Sequence, residues 1–375
     1  MSLRLNGSER SSSVSSSAEK EGSTIAFHWL MITLGSLIHV GAIIDAWTHI
    51  HFGFAIELFL SPSHYVLYAM WLSTTLALAI YAVRSALRGE VRSRWLPKGY
   101  NISALGAALY GLGGIFDAFW HEAFGFEVFF EAAVAPSHLW LVFSAFMIYL
   151  GTVRHSLYRL DLSPEKHSSS FVTALPLSLG LALLLATAMW ITWYFDPLII
   201  DYASGGAVAG HFPPIKILDF SAPTAQIAGY VGIVLTNMIL VGFVLVPLYR
   251  WRLPVGTVTV MVIFHYLTRA FTNDGYVYLP AVIGAGIAAD LTWAWIRSGG
   301  ERRLSSAFGY RLIAFLVPSV LSVAYFWIIA TFPAGIVWPV HVWGGSIAIS
   351  TLGGILLSYG LIDDSRRNLT NPARG

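Results

Sequence analysis

The chain has 375 residues, of which 56% are hydrophobic and only 11% are charged. Its mean hydropathy is +0.66. These values exclude an ordinary soluble domain and predict an integral membrane protein. Cysteine is absent, which excludes disulfides, thiolate metal sites and cysteine nucleophiles and leaves His, Asp, Glu and Met to bind any metal. The net charge is +2 with Lys and Arg scattered along the chain, so nucleic acid is not an expected partner.

The N-terminal 22 residues are polar and serine-rich, and no small-residue cleavage site follows them. We predict that residues 1–22 form a disordered cytoplasmic tail rather than a signal peptide. Beyond the tail, apolar runs long enough to cross about 30 Å of hydrocarbon predict an all-α membrane protein of about ten transmembrane helices. These runs fall at roughly 25–46, 62–85, 101–120, 136–155, 171–195, 223–249, 254–273, 276–297, 310–332 and 340–362.

The predicted helices group into hairpins. A proline opens the second helix of each hairpin, where its missing N–H is tolerated: Pro62, Pro136, Pro223, Pro280 and Pro339. We interpret residues 23–160 as a duplicated two-hairpin metal-binding unit, residues 161–365 as further transmembrane hairpins and residues 366–375 as a second cytoplasmic tail.

Charge sets the predicted orientation. Lys and Arg lie in the loops on one side of the predicted bundle, for example at 84–98 and 154–166, whereas the opposite loops are acidic. The positive-inside rule therefore predicts a protein of the plasma or inner membrane with both termini cytoplasmic and the hairpin tips extracytoplasmic.

The tips of the first two hairpins repeat one another in sequence. The segment from Asp45 to Phe54 aligns with that from Asp117 to Phe126, and the E-x6-H segment from Glu57 aligns with that from Glu131. The two copies differ by a two-residue insertion between these blocks. Agreement in both identity and spacing indicates a duplicated site on the extracytoplasmic side.

Each copy brings an aspartate and two histidines to the neck of a hairpin. Asp and His four residues apart share one face of a helix, and the second His lies in the first turn of the next helix, where the helix dipole favours a neutral ring. We predict two triads of metal ligands: Asp45, His49 and His64, and Asp117, His121 and His138. Two imidazoles and a carboxylate suit copper, zinc or non-haem iron. The alternatives are helix capping and hydrogen bonding across the bundle, but ionisable groups in apolar helices usually have a role.

Glu57 and Glu131 lie seven residues before the last His of each copy. We consider them catalytic candidates, as proton carriers or general bases, or as extra ligands or partners that orient a ring. The sequence leaves open whether there are two mononuclear sites, one dinuclear site, or one working copy.

The second copy resembles the C subunit of the copper membrane monooxygenases, the particulate methane and ammonia monooxygenases. That subunit has a D-x-x-W-H motif ending one helix and a T-P-S-H motif opening the next. Trp120-His121 and Pro136-Ser137-His138 match both halves, and Thr48 replaces the Trp in the first copy. The resemblance covers about residues 25–155; here the motif occurs twice and the gap between its histidines is longer. It implies copper ligation by both triads and oxygenase chemistry.

From these observations we expect a metalloprotein, most simply a copper-dependent, O2-activating oxidoreductase of the monooxygenase type. Its partners would be the lipid bilayer, a small apolar or lipid-soluble substrate, and other membrane subunits or further copies of the chain. The alternatives are a transition-metal binding or transport protein and a zinc-type intramembrane hydrolase with Glu57 or Glu131 as general base.

Two further groups of polar residues lie in predicted helices. His28 and His39 are eleven residues apart on one stripe of the first helix, which suits packing better than haem ligation. Arg269 is expected to pair with Asp274 or Asp290.

Overall fold

A computed structural model describes residues 7–52, 62–127, 130–161, 171–205, 223–251, 253–272, 275–298 and 307–362. Within these ranges the regular structure is helical. The α-helices are α1 (Gly7–Phe52), α2 (Pro62–Leu87), α3 (Asn101–Phe124), α4 (Phe130–Val134), α5 (Pro136–Asp161), α6 (Phe171–Ala188), α7 (Pro223–Arg250), α8 (Thr257–Ala270), α9 (Leu279–Arg297), α10 (Phe308–Ala330) and α11 (Val340–Leu361).

The prediction of an all-α membrane protein is confirmed. In the described part of the chain, eight helices are long and apolar enough to cross a membrane: α2, α3, α5, α7, α9, α10, α11 and the Thr24–His49 part of α1. Two other predicted spans form shorter helices. The apolar part of α6 is Ala174–Ala188, and α8, with 14 residues, rises only about 21 Å. The count of ten spans is therefore not confirmed.

Most consecutive helices pack as hairpins. Helix α1 packs against α2, α3 against α5, α8 against α9, and α10 against α11. The predicted hairpin of α6 and α7 is the exception, because α6 packs mainly against α5 and α8 whereas α7 packs mainly against α11. Between α6 and α7 the chain forms a 3-10 helix at Trp190–Phe195 and a second one at Tyr202–Ser204. Each predicted proline lies at the start of its helix, as expected.

Glycines bring the helices of the duplicated unit close together. A Cβ atom added to Gly41 of α1 would lie 3.0 Å from the Cα atom of Leu67 in α2. One added to Gly106 of α3 would lie 2.8 Å from the backbone nitrogen of Ile148 in α5. Such backbone-to-backbone approach is how small residues join membrane helices. It holds α1 against α2 and α3 against α5, the two hairpins that carry the triads.

The N-terminal segment differs from expectation. Helix α1 begins at Gly7, within the segment predicted to be a disordered tail. Adding residues to an existing helix is far easier than starting one, and the apolar span beginning at Thr24 provides that start. The predicted C-terminal tail, residues 366–375, lies outside the described residues.

Candidate metal centre

The second triad joins the end of α3 to the start of α5. Asp117 and His121 lie in the last two turns of α3, and His138 lies in the first turn of α5. Oδ1 of Asp117 is 3.5 Å from Nε2 of His121 and 3.4 Å from Nε2 of His138. The Asp117 side chain is only 3% exposed. One buried carboxylate oxygen therefore faces both imidazoles.

The other ring nitrogens determine which tautomer each histidine adopts. Nδ1 of His138 is 2.8 Å from the carbonyl oxygen of Ala132 in α4, and since a carbonyl only accepts, Nδ1 must carry the proton. Nδ1 of His121 lies 3.4 Å from the carbonyl oxygen of Gly125 and 3.3 Å from Oε2 of Glu127, two further acceptors. In the neutral rings, Nε2 then has a lone pair directed toward Asp117. With both rings neutral, three acceptor atoms converge, and a metal ion among them or a proton on one Nε2 would stabilise the arrangement.

The turn after α3 supplies one of these acceptors. Gly125 follows the last residue of α3 with a φ of 80°, and its N–H donates to the carbonyl of His121. A positive φ of this kind is adopted most readily by glycine, which has no Cβ. The turn directs the chain back so that the Gly125 carbonyl and Glu127 lie beside the His121 ring.

The first triad repeats the arrangement with one difference. Asp45 and His49 lie near the end of α1, and His64 lies in the first turn of α2. Oδ2 of Asp45 is 3.3 Å from Nε2 of His49, whereas Oδ1 is 3.4 Å from Nε2 of His64. Each oxygen of the Asp45 carboxylate thus faces one histidine, whereas in Asp117 a single oxygen faces both. The Asp45 side chain, 18% exposed, is also less buried than that of Asp117.

The distances suit metal ligation better than hydrogen bonding. Hydrogen bonds from nitrogen to oxygen are typically 2.7–3.2 Å long, and the four Asp–His distances exceed that range. Two ligands about 2.0–2.2 Å from one tetrahedral ion lie roughly 3.3–3.6 Å from each other. Oδ1 of Asp45 and of Asp117 are buried and accept no hydrogen bond from the described residues. In each triad the three ligand atoms lie within 4.8 Å of one another, so both groups could hold a metal ion.

The two triads face the same cavity. A cavity of about 210 Å³ is lined by all six predicted ligands. Apolar side chains from α1, α2 and α5 form much of the remaining wall, among them Ile38, Leu67, Leu141 and Ala145. The duplicated sequence therefore produces two candidate ligand sets that open into one mostly apolar space.

The predicted glutamates have different outcomes. Glu57 lies outside the described residues. Glu131 lies in the first turn of α4, where it is exposed and is not among the described residues that line the cavity. Glu127, which the sequence analysis missed, lines the cavity and lies beside His121. It falls in the stretch where the two copies differ in length, so the repeat gave no reason to select it.

Arg269 has a different partner from the one predicted. It is 2% exposed, and its guanidinium forms an ion pair of 3.0 Å with Asp196, beyond the end of α6. It also donates to the carbonyl of Met189. Asp274 lies outside the described residues, and Asp290 accepts instead from the N–H and hydroxyl of Thr259. Pairing with Asp290 was therefore the wrong prediction, because the folded chain brings Asp196 to the buried guanidinium.

The histidines of the α1 stripe have structural partners. His28 uses both ring nitrogens, one with the Tyr100 hydroxyl and the other with the Ser156 hydroxyl. His39 lies 3.3 Å from the hydroxyl of Thr268. With both nitrogens of His28 occupied, this pair fits packing and hydrogen bonding better than haem ligation.

Comparisons with known proteins give no relative for this chain. No family model matches it, and neither a curated protein nor a solved structure shows significant similarity to it. The assignment of the site therefore rests on its own geometry.

Proposed function

We propose that the protein is a membrane metalloenzyme, copper-dependent and O2-activating, that oxidises a small apolar or lipid-soluble molecule. The observation that carries the proposal is the convergence of a carboxylate and two imidazole lone pairs, twice, on one apolar cavity. The motif resemblance to the C subunit of the copper membrane monooxygenases favours copper among the metals that suit such ligands.

Each protein group has a defined part in this proposal. Asp117, His121 and His138 hold the ion in the second triad, and Asp45, His49 and His64 hold one in the first. The carbonyls of Ala132 and Gly125 and the carboxylate of Glu127 keep the rings of the second triad in the ligating tautomer. Copper would supply the redox chemistry of O2 activation, which side chains alone do not provide.

Glu127 is the proposed proton carrier. Its Oε2 faces His121, while Oε1 is buried without a hydrogen-bond partner among the described residues. A carboxylate beside a ligand and on the cavity wall can accept and return protons as the substrate is oxidised. The apolar wall limits water near the reacting groups and favours an apolar substrate.

Elemental analysis of the purified, metal-reconstituted protein tests the proposal. Copper should be present in the natural chain and should fall in a His121→Ala/His138→Ala variant. His341→Ala is the matched control, because His341 is exposed and lies outside the described lining of the cavity. Equal copper in the double variant and the natural chain would contradict the metal centre.

Metal content alone does not distinguish an oxidoreductase from a hydrolase or a transporter, so a second measurement is needed. A copper spectrum that changes on reduction and again on exposure to O2 supports the oxidoreductase. Tight zinc binding without a redox change would favour an intramembrane hydrolase. Metal flux into liposomes that is lost in Asp117→Ala would favour a transporter.

A further inference from the structure

An apolar groove lies on the outer surface of the duplicated unit, between α2 and α3. Its volume is about 520 Å³. Ile115 and Phe119, which line it, are 58% and 70% exposed, so in a membrane the groove opens to lipid. Its charged lining residue is Glu122, which lies in the last turn of α3. The groove is therefore lined mostly by apolar side chains, with the Glu122 carboxylate at one end.

Two glycines of α3 line the groove where aromatic rings of α2 pack against it. Gly111 and Gly114 are three residues apart and share a face of α3. A Cβ added to Gly111 would lie 2.5 Å from the Trp71 ring, and one added to Gly114 would lie 2.8 Å from the Tyr68 ring. Both rings of α2 thus lie directly on the bare backbone of α3. The Trp71 ring is fixed by its N–H, which donates to the carbonyl of Ala107.

Tyr68 is the residue that joins the groove to the metal-binding cavity. It lines both spaces, and its ring centre is 6.2 Å from that of His64, a ligand of the first triad. Tyr68 is therefore the side chain that the lipid-facing groove and the cavity of the triads have in common. Side-chain rotation of a half-buried tyrosine is a small motion compared with separating two helices.

We propose that the groove between α2 and α3 is a lateral entrance through which an alkyl chain passes from the bilayer into the cavity, with Tyr68 as its inner wall. The statement that this alkyl chain belongs to the substrate rests on the proposed function. The statement that an alkyl chain can pass through the groove does not. The occupant is identified by chemistry, because an apolar groove facing hydrocarbon admits alkyl groups and excludes hydrated ones.

The absence of cysteine makes a direct test feasible. Ala145 lines the cavity and not the groove, so an Ala145→Cys variant carries a single thiol inside. The protein is placed in liposomes, and the labelling rates with membrane-dissolved N-octylmaleimide and with a sulfonated, water-soluble maleimide are followed by intact mass. Thr187→Cys, on another part of the cavity wall, gives a second reporter position.

The groove is then altered at positions other than the six residues of the triads. Ala118→Phe places a ring in the groove and should slow labelling by N-octylmaleimide about tenfold, which requires only a small added barrier. Tyr68→Ala should speed it. Leu112→Phe is the matched control, since Leu112 is exposed on α3 to the same extent as Ile115 but does not line the groove; it should leave the rate unchanged. Ile115→Trp provides a second groove-filling variant if Ala118→Phe does not fold.

The outcomes separate the entrance from the metal centre. Labelling by N-octylmaleimide that is unaffected by both groove-filling variants would overturn the entrance, as would slowing of both reagents by the same factor. Failure of that reagent to label the folded parent while it labels the unfolded chain would also overturn it. None of these results bears on copper content, so the entrance and the metal centre can fail independently.

Discussion

Asp117 and Asp201 are both buried carboxylates in an apolar bundle, but their surroundings are opposite in kind. Asp201 is surrounded by donors: the backbone N–H and hydroxyl of Ser204 and the hydroxyl of Tyr325. Burial raises the pKa of the Asp201 carboxyl, and the hydrogen bonds from Ser204 counteract that shift. Asp117 instead faces two imidazole nitrogens at distances longer than typical hydrogen bonds.

This difference distinguishes an acid whose partners are supplied by the fold from one that could bind a cation. A buried polar group that stabilises the fold is satisfied by protein partners, as Asp201 is. Asp117 instead faces two ring nitrogens, and a cation bound between them would complete its surroundings. Asp45 shares this property with Asp117, although its carboxylate is more exposed and presents a separate oxygen to each ring.

The largest effect is expected from exchanging each acid for its amide. Asp117→Asn removes the charged oxygen that faces both histidines, so metal affinity should fall by more than about a hundredfold, beyond the usual cost of losing an outer-shell partner. Asp201→Asn should leave metal affinity unchanged but lower the free energy of unfolding by about 1–3 kcal/mol, because one carboxylate oxygen becomes an amide nitrogen that cannot accept, so at least one donor loses its acceptor. Metal titration and thermal unfolding of the same samples check both. Equal loss of metal in the two variants would remove the distinction.

A smaller loss is expected at the first triad. Asp45→Asn should weaken metal binding by about a hundredfold at its own site and less than Asp117→Asn does at the second, because each Asp45 oxygen faces only one ring. Competitive titration with a chelator separates two affinities. A greater loss of metal affinity in Asp45→Asn than in Asp117→Asn would contradict the difference inferred between the two triads.

Glu127→Gln should have an intermediate effect. The amide no longer attracts the His121 N–H as a charged acceptor, but the Gly125 carbonyl remains nearby, so we expect a loss of about tenfold in metal affinity. The matched control is Glu131→Gln, since Glu131 is exposed and outside the described lining of the cavity. A loss in the control and none in Glu127→Gln would restore the role that the sequence predicted for Glu131.

The smallest effect concerns Gly125. An alanine at a φ of 80° is strained by about 1 kcal/mol, and the strain shifts the carbonyl beside His121. Metal affinity should fall by no more than about fivefold. Gly89→Ala is a suitable control, because Gly89 also has a positive φ but lies in the turn after α2, away from the site. Identical metal affinities in Gly125→Ala and the control would show that this turn does not support the ring.

The two triads could be predicted from the sequence because the motif is duplicated, and each copy can be compared with the other. Identity and spacing in the two copies selected six residues, and the structure groups them as two triads. The same reasoning could not find Glu127, because it lies where the copies differ in length. Helical periodicity then placed each Asp and His on one face, whereas the opening of both triads into one cavity depends on helix packing.

Partners that are far apart in sequence were harder to predict. Arg269 was expected to bind a nearby acid, yet its partner Asp196 is 73 residues away and follows the end of α6. Hydropathy predicted a longer helix at 171–195, but a 3-10 helix begins at Trp190. The end of α6 before Trp190 allows Asp196 to reach Arg269. Local hydropathy does not predict a tertiary contact of this kind.

X-ray absorption at the copper edge tests the central claim most directly. The copper-loaded protein should show nitrogen and oxygen neighbours near 2.0 Å with the multiple scattering of imidazole rings, and the imidazole signal should fall in His121→Ala/His138→Ala. A spectrum dominated by methionine sulfur, or an imidazole signal unchanged in that variant, would contradict a metal centre built from these triads.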